Sequence, residues 1–160
     1  MADSKNTVES KTVPIKLESF IGKATVAIDA TGRTNFPKDF RKILRDEAAG
    51  QVVVTIAEGR KLALYPVYEW NNYIQYLESL GRGAEVSKFR TRITSMAKLS
   101  VLDGQNRISL SAEQMSYAGI GGEVTFVGDG KRARLWAPEK YSEQIETISP
   151  DEEKQFENWF

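Results

Sequence analysis

Two short polar motifs hold the residues of this chain whose types and spacing could do chemistry. Each has the form Asp-x-x-x-Arg, from Asp29 to Arg33 in the first copy and from Asp103 to Arg107 in the second. An aspartate that opens a tight turn accepts backbone N–H bonds. An arginine that closes the turn can donate two hydrogen bonds to a phosphate or a base edge. A single copy would indicate only a turn in which the arginine pairs with the aspartate.

The duplication of the motif favours binding over a purely structural turn. The residue before the arginine is Gly32 in one copy and Asn106 in the other, and these two residue types best tolerate a positive φ. The same turn geometry is therefore expected twice. Turn geometry does not require a guanidinium, yet an arginine closes both motifs. A pair of matching arginines suits a repeated anion such as double-stranded DNA.

The amino-acid composition excludes several classes of enzyme. The 160 residues are 41% hydrophobic, which is enough for a folded core, and they include no cysteine and no histidine. Thiolate nucleophiles, serine–histidine triads, cysteine-ligated zinc and two-histidine metal sites are therefore excluded. No group of carboxylates, lysines or tyrosines indicates an active site. We expect a binding protein that is not an enzyme, with no cofactor, no metal ion and no small-molecule substrate.

Charge is distributed unevenly along a chain whose formal net charge is zero. Residues 1–110 contain 17 lysines and arginines against 12 acidic residues, whereas residues 111–160 contain 5 against 10. The basic excess is concentrated at 33–45 and 82–98, and the acidic excess at 139–157. This asymmetry fits a basic face for a polyanion and an acidic end that points elsewhere. Ordinary solvated helix faces are the alternative interpretation of the same pattern.

An internal repeat sets the architecture. Residues 28–33 correspond to 102–107, and Leu64-Tyr65-Pro66 corresponds to Leu135-Trp136-Ala137. Each half is predicted as strand, turn, strand, short helix, strand, turn, strand and helix. Units of this size are too small to bury a core alone, so the halves must pack together or interleave. The predicted strands are 22–28, 33–36, 51–57 and 61–65 in the first half, and 99–102, 107–110, 124–127 and 132–136 in the second.

The segments outside the repeats complete a plan of five parts. We expect a flexible N-terminal extension at 1–20, repeats at 21–81 and 96–149, a linking helix at 82–95 and an acidic tail at 150–160. The tail is expected to be solvated and disordered, or to dock on a neighbouring subunit through Trp159 and Phe160. A helix after Pro66 carries an apolar stripe made of Val67, Trp70, Ile74 and Leu77. Its residues Trp70, Tyr73, Tyr76 and Leu77 are predicted to pack in the core or at a subunit interface.

No segment of the sequence indicates a membrane or a secretory route. The chain has no apolar run long enough to span a bilayer, and its first twenty residues mix charges with serine and threonine. A cytoplasmic location is therefore expected.

The first motif and its surroundings resemble the signature of the MraZ family. Ile28–Arg33, followed by Phe36-Pro37 and Phe40-Arg41, is similar to the family pattern Leu-Asp-x-Lys-Gly-Arg-x-x-Ile-Pro-x-x-x-Arg. Later landmarks match at 62–66, 102–107 and 117–120, so the resemblance covers about residues 20–148.

The resemblance implies both a fold and a function. The fold is α+β and mainly β: a pseudo-two-fold, swapped-hairpin AbrB-type β-barrel made from two tandem repeats with short flanking helices. The function is that of a DNA-binding bacterial transcription regulator, typically a repressor of the division and cell-wall gene cluster. Such a protein binds repeated promoter boxes in double-stranded DNA as a homo-oligomeric ring and is associated with the nucleoid.

The resemblance also implies roles for individual residues. Arg33 and Arg107 would contact DNA. Asp29 and Asp103 would orient these arginines or hold their turns, and Gly32 and Asn106 would complete the two DNA-binding turns. Candidate phosphate contacts are Lys38, Arg41 and Lys42, although Arg41 could equally brace its own helix. The alternative from another class is an antitoxin-like protein-interaction module of the same fold, in which the acidic tail makes the contact and Arg33 is dispensable.

The second turn departs from the family pattern. Gln105 stands where a lysine is often found, Asn106 replaces glycine, and Met115 lies near a customary arginine. The second turn would therefore bind DNA more weakly than the first, or serve mainly structure.

Overall fold

The structure is a computed structural model that describes residues 12–160 of the chain. The predicted order of strands and helices is confirmed in both repeats, with strand boundaries that agree within two residues. The elements are β1 (Lys23–Ala27), β2 (Arg33–Asn35), α1 (Lys38–Arg41), a 3₁₀-helix (Asp46–Ala48), β3 (Gln51–Ala57), β4 (Lys61–Pro66), α2 (Val67–Ser79), α3 (Ala84–Ser95), β5 (Lys98–Val101), β6 (Arg107–Ser109), α4 (Ala112–Ala118), β7 (Glu123–Asp129), β8 (Arg132–Trp136), α5 (Pro138–Tyr141), a π-helix (Ser142–Glu146) and α6 (Pro150–Glu157).

The two repeats exchange strands. A six-stranded antiparallel sheet, the large sheet, has the strand order β1-β7-β8-β4-β3-β5, and β2 pairs with β6 in a separate two-stranded ribbon. The first strand of each repeat pairs with the third strand of the other, so β1 lies beside β7 and β5 lies beside β3. Neither repeat forms its sheet alone, and the expected interleaving of the halves is confirmed.

The strand register defines an approximate two-fold axis. In the ribbon the axis passes between Thr34 and Ile108, which are the central pair of β2 and β6. In the large sheet it passes between Ala63 and Arg134, which are the central pair of β4 and β8. From either end, the large sheet presents the first, third and fourth strands of a repeat and then the fourth, third and first. The axis therefore relates the two polar turns to each other.

The predicted fold class is confirmed as α+β and mainly β with two tandem units, but the large sheet is not a closed barrel. Within residues 12–160, β1 and β5 are its edges, and a single isolated bridge between Ile28 and Thr34 joins β1 to the ribbon. Both edge strands lead directly into the polar turns, and β2 and β6 are each three residues long. Strands this short pair with each other and do not extend along β1 and β5.

The hydrophobic core lies between the large sheet and the ribbon. Phe20, Phe36, Phe40 and Phe126 pack edge to face, with ring centroids between 5.4 and 6.3 Å apart. Rings of this size bury large apolar areas and favour the edge-to-face arrangement. The packing holds the ribbon against the sheet, and with it the two turns.

The predicted N-terminal extension lies partly outside the described residues, since residues 1–11 are not described. Residues 12–18 are exposed and have no regular secondary structure. Phe20, the last residue of the predicted extension, is 1% exposed, and its N–H donates to the carbonyl of Gly130 at 2.7 Å. Phe20 therefore belongs to the core.

Helices α2 and α3 cover the second face of the large sheet. Trp70 and Tyr73 of α2 pack against Tyr65 of β4, and the two tyrosine rings stack at 5.1 Å between centroids and 9° between planes. The prediction of core packing is confirmed for Trp70, Tyr73 and Leu77, whereas Tyr76 is 58% exposed. Helix α3 occupies the segment predicted as a linking helix and buries Ile93. No helix within the described residues is long and apolar enough to cross a membrane.

The acidic tail is helical, so the prediction of a disordered tail is wrong. The side chain of Ser149 accepts the N–H of Glu152 at 3.2 Å, and the Glu152 carboxylate accepts the N–H of Ser149 at 3.0 Å. This capping box, with Pro150 at the first helical position, satisfies N–H groups that a helix leaves unpaired at its start. Trp159 beyond the helix is 73% exposed.

Candidate nucleic-acid interface

The first polar turn is organised by the carboxylate of Asp29. Its Oδ1 accepts the N–H of Thr31 at 2.9 Å, the hydroxyl of Thr31 at 2.7 Å and the N–H of Arg33 at 3.0 Å. Its Oδ2 accepts a hydrogen bond from Nε of Arg33 at 3.2 Å. One carboxylate therefore holds the backbone of the turn and the base of the guanidinium.

The second turn repeats this pattern. Oδ1 of Asp103 accepts the N–H of Gln105 at 2.8 Å and the N–H of Arg107 at 2.9 Å, and Oδ2 accepts from Nε of Arg107 at 2.8 Å. The residue before each arginine has a positive φ, 89° at Gly32 and 60° at Asn106. The prediction of two turns with the same geometry is confirmed.

Each turn is attached to the opposite repeat by one backbone hydrogen bond. The N–H of Leu110 donates to the carbonyl of Gly32 at 2.8 Å, and the N–H of Phe36 donates to the carbonyl of Asn106 at 2.9 Å. A Cβ at Gly32 would lie 2.2 Å from the carbonyl oxygen of Leu110. Glycine is therefore required at this position for two reasons, the close approach of Leu110 and the positive φ.

Both aspartates are ionised at neutral pH. The hydroxyl of Thr31 and then the N–H of Arg33 hold the pKa of Asp29 well below its usual value. The N–H of Arg107 is the largest of the causes that lower the pKa of Asp103. Each arginine is thus paired with a charged carboxylate, as the purely structural interpretation of the turns also predicts.

The ribbon carries both arginines on its outer face. Successive side chains of a strand point to opposite faces, and Thr34 and Ile108 point into the core at 2% and 1% exposure. Their neighbours therefore point outward. In the register of the ribbon Arg33 and Arg107 are diagonal neighbours, which places them about 7–8 Å apart at their Cα atoms.

The outer edge of each guanidinium is available for a ligand. Within residues 12–160 no hydrogen bond or ion pair engages Nη1 or Nη2 of Arg33 or of Arg107. The side chain of Arg33 is 48% exposed and that of Arg107 is 30% exposed. A guanidinium held through Nε keeps two parallel donors for a phosphate or a base edge.

The basic residues of α1 occupy different environments. Nη1 of Arg41 donates to the carbonyl of Phe36 at 2.6 Å, a contact that supports the bracing role, one of the two left open by the sequence. Lys42 lies 3.9 Å from Asp39 on the surface, and Lys38 is exposed. The two lysines are therefore accessible to a phosphate backbone.

Three polar residues at the ribbon are not among the site residues predicted from the sequence. Asn35 and Ser109 share the outer face with the arginines, and Nζ of Lys98 donates to the hydroxyl of Ser109 at 3.0 Å. The alternation of inward and outward residues in the predicted strands was a signal for Asn35 and Ser109. Lys98 reaches the ribbon from another strand, for which the sequence holds no local signal. Within the described part of the chain, no group of three or more acidic residues could hold a metal ion.

The fold and the site define a strand-exchanged protein of two tandem repeats that presents paired arginines on one surface. The family model described as "MraZ protein, putative antitoxin-like" matches residues 19–91 and 93–160. The chain belongs to the MraZ family. The second matched segment includes the tail helix α6, which the resemblance noted in the sequence did not reach.

Curated relatives agree with this assignment. A protein of Thermomicrobium roseum named "Transcriptional regulator MraZ" is 33% identical over 133 residues, which cover 82% of this chain and 91% of the relative. The protein of that name from Coxiella burnetii is 35% identical over 76% of this chain and 82% of its own. The one from Nitratidesulfovibrio vulgaris is 32% identical over 73% and 79%. These names support a role in transcription regulation, which is not a class of enzymes.

Proposed function

We propose that this chain is a sequence-specific DNA-binding transcription regulator that represses the bacterial division and cell-wall gene cluster. It binds repeated promoter boxes as a homo-oligomer, and the outer face of the ribbon makes the contact. The observation that carries the proposal is the pair of outward arginines, Arg33 and Arg107, whose Nε atoms are held by carboxylates while their Nη edges are open.

The dimensions and chemistry of the ribbon suit the major groove. A groove about 12 Å wide admits a two-stranded β-ribbon, and arginine donates two bonds to guanine O6 and N7. The amide of Asn35 suits adenine in the same way. Lys38, Lys42 and Lys98 would contact phosphates, which add affinity without reading sequence. Because Asp29 and Asp103 already orient the guanidiniums, less side-chain freedom is lost on binding.

Both turns are proposed to engage DNA. They share their hydrogen-bond pattern and their outward direction, which supports a shared role. Arg107 is the less exposed of the two arginines, so we propose that it contributes less to affinity than Arg33.

Oligomerisation is proposed because one ribbon alone presents few cations. Several subunits on repeated boxes would multiply a modest single-site affinity through effective concentration. Exposed apolar side chains that could form subunit interfaces support this, at the sheet edge (Leu99 and Val101, each 55% exposed) and in the tail (Trp159). Head-to-tail contacts whose rotation closes give a ring, the assembly that we propose, associated with the nucleoid in the cytoplasm.

We infer a domain plan that follows from the strand exchange. The repeats at 21–81 and 96–149 form one folding unit, because each lends its first strand to the sheet of the other. The linking segment 82–95 joins the two repeats, and the tail 150–160 follows the second repeat.

The experiment that tests the proposal compares full-length protein, Arg33→Ala and Arg60→Ala on the DNA upstream of its own gene. Arg60 lies in the β3–β4 turn with its guanidinium over the ring of Tyr117 at 5.0 Å, so it is a matched control outside the polar turns. Fluorescence anisotropy at several salt concentrations is expected to show specific binding that is weakened by about tenfold or more for Arg33→Ala and unchanged for Arg60→Ala. Unchanged affinity of the Arg33→Ala variant would refute the proposal.

The second candidate is the antitoxin-like interaction module. The acidic helix α6, with exposed aromatic residues at its end, favours it. Under this alternative, deletion of residues 150–160 abolishes capture of a protein partner, and Arg33→Ala changes neither partner capture nor gene expression. A pull-down with the deletion variant, alongside a promoter reporter with Arg33→Ala, separates the two functions.

A further inference from the structure

A cavity of about 250 Å³ lies on the face of the large sheet opposite to the ribbon. Strands β3, β4 and β8 form its floor, and α2, α3 and α4 form its walls. We propose that this cavity binds a small anion that carries one planar aromatic ring. The residues that carry the proposal are three arginines and three tyrosines of its lining: Arg92, Arg132, Arg134, Tyr65, Tyr73 and Tyr117.

The cavity breaks the symmetry of the repeats. Ala63 and Arg134 are equivalent residues that pair across the two-fold axis, yet only the second repeat places a guanidinium there. Arg134 is 8% exposed, and burial of a charge is costly unless it is compensated. The duplicated fold by itself does not account for an arginine at this position.

The carboxylates near the cavity neutralise its cations only in part. Oδ2 of Asp129 accepts from Nε of Arg132 at 3.1 Å and from Nε of Arg134 at 2.9 Å, so one carboxylate serves two guanidiniums. Glu58 lies 3.4 Å from Nη2 of Arg134 and 3.5 Å from Nζ of Lys61. Two acidic groups therefore face three basic groups at the floor.

Arg92 adds a further cation at the wall. It reaches in from α3, its guanidinium lies 5.9 Å from the ring centroid of Tyr117, and no acidic residue within 12–160 forms an ion pair with it. Among the described residues that line the cavity, three guanidiniums therefore stand against one carboxylate, that of Glu58. A concave site with an excess of one charge sign attracts the opposite charge, so the ligand is an anion.

The tyrosines supply flat apolar surface. The rings of Tyr65 and Tyr73 are stacked 5.1 Å apart and nearly parallel, and the hydroxyl of Tyr117 donates to the carbonyl of Ala57 at 2.8 Å, which fixes that ring. Flat faces of this kind pack against a planar ring. The volume lies just below the roughly 300–1,000 Å³ of sites for drug-sized ligands, which suits one ring with one anionic group.

A purely structural network explains only the floor of the cavity. The pairs of Arg134 with Asp129 and Glu58 satisfy a buried guanidinium and would stabilise the β7–β8 hairpin without any ligand. They do not involve Arg92 or Phe89, which stand on α3 at the mouth of the cavity, where Phe89 is 47% exposed. Substitutions at the mouth therefore distinguish a binding site from a structural one and leave the buried network intact.

The test is isothermal titration calorimetry of the full chain with four probes. Uridine 5′-monophosphate and benzoate each carry one planar aromatic ring and one anionic group, and they distinguish a nucleotide from an aromatic carboxylate. Uridine without the phosphate and inorganic phosphate without the ring are the control ligands. The variants are Arg92→Ala and Phe89→Ala, with Arg90→Ala on the same helix as the matched control, since Arg90 does not line the cavity.

At least one of the two ring-bearing anions is expected to bind, and Arg92→Ala is expected to weaken it about tenfold. Phe89→Ala is also expected to weaken binding, whereas Arg90→Ala changes it by no more than about twofold. Absence of binding by both anions up to about 5 mM, equal effects of Arg92→Ala and Arg90→Ala, or phosphate or uridine binding as tightly as the whole nucleotide would each overturn the proposal.

Discussion

Thr34 and Ile108 face each other at the centre of the ribbon, and the approximate two-fold axis of the molecule passes between them. The hydroxyl of Thr34 donates to the carbonyl of Ala27 at 2.8 Å, so its burial opposite an isoleucine leaves no polar atom unpaired. Because both residues point inward, Arg33 and Arg107 point outward at equivalent places. The contribution of each repeat to the proposed DNA binding can therefore be measured with one substitution in each repeat, at Arg33 and at Arg107.

The first prediction concerns the affinity and the sequence preference of DNA binding. An arginine that donates to a base edge contributes sequence preference, whereas a phosphate contact contributes mainly to the salt dependence of binding. Arg33→Ala and Arg107→Ala are each expected to weaken binding by about tenfold or more, with the larger effect for Arg33. The double variant is expected to lose sequence preference as well. Anisotropy titrations with specific and non-specific DNA measure both quantities, and an unchanged sequence preference of the double variant would contradict the assignment.

The second prediction compares Gly32 and Asn106, the equivalent positions of the two polar turns, which both have a positive φ. Gly32→Ala places a Cβ 2.2 Å from the carbonyl oxygen of Leu110 and in a strained backbone region, so we expect a loss of about 2 kcal/mol or more. Asn106→Gly relieves backbone strain but increases the conformational entropy of the unfolded chain. The expected loss in the free energy of unfolding is below about 1 kcal/mol. Urea denaturation monitored by tryptophan fluorescence compares them. Equal losses in the free energy of unfolding would show that the contact between Gly32 and the carbonyl oxygen of Leu110 does not require glycine in the first turn.

The third prediction separates bracing from phosphate contact at Arg41. Substitution by methionine, the residue type at the equivalent position in the second repeat, removes the hydrogen bond to the carbonyl of Phe36. We expect a loss of about 1 kcal/mol in the free energy of unfolding and little change in DNA affinity below the melting temperature. A loss of affinity with unchanged stability would assign Arg41 to the interface.

The fourth prediction concerns stability in acid. Hydrogen bonds within the turns lower the pKa values of Asp29 and Asp103 in the folded chain, so the folded state binds fewer protons than the unfolded state. Their contribution to stability is complete above the ordinary carboxyl pKa, near 4, and is lost as the pH falls below it toward the lowered values. The double variant Asp29→Asn with Asp103→Asn is expected to show a smaller fall in melting temperature on acidification.

Asp39→Asn is the control for that measurement. The Asp39 side chain is 87% exposed and lies 3.9 Å from Lys42, so its replacement is expected to leave the acid profile of the wild-type chain unchanged. Parallel profiles for the wild type and the double variant would show that the turns do not depend on ionised aspartates.

Two helices begin at capping boxes that can be identified in the sequence. Ser149 and Glu152 form a capping box at the start of α6, and Ser111 and Gln114 form another at the start of α4. Both have the spacing of three residues that marks a helix N-terminus. The high charge of the tail favours disorder in a prediction from the sequence. The same acidic residues, however, stabilise the first turn of a helix.

Gln114 shows the limit of such local signals. Its side-chain amide is fully buried and donates to the carbonyls of Val54 and Met96, each at 2.8 Å. The capping position could be inferred from Ser111, three residues earlier, but the two carbonyl partners lie 60 and 18 residues away in the chain. A side chain that satisfies distant backbone groups leaves no pattern in its own neighbourhood.

The sequence by itself determined the strands, the short helices and the two polar turns. Alternation, β-branched runs, glycine or asparagine at a positive φ and an aspartate at the start of a turn act over a few residues, so they can be identified along the chain. Only the tertiary structure decided the strand exchange, the open sheet, the hydrogen bond of Arg41 to the carbonyl of Phe36 and the basic cavity around Arg134. These features depend on pairings between residues that are far apart in the chain, such as Ala63 with Arg134 and Lys23 with Val127. Burial and packing across the two repeats select such pairings, and local sequence preferences do not.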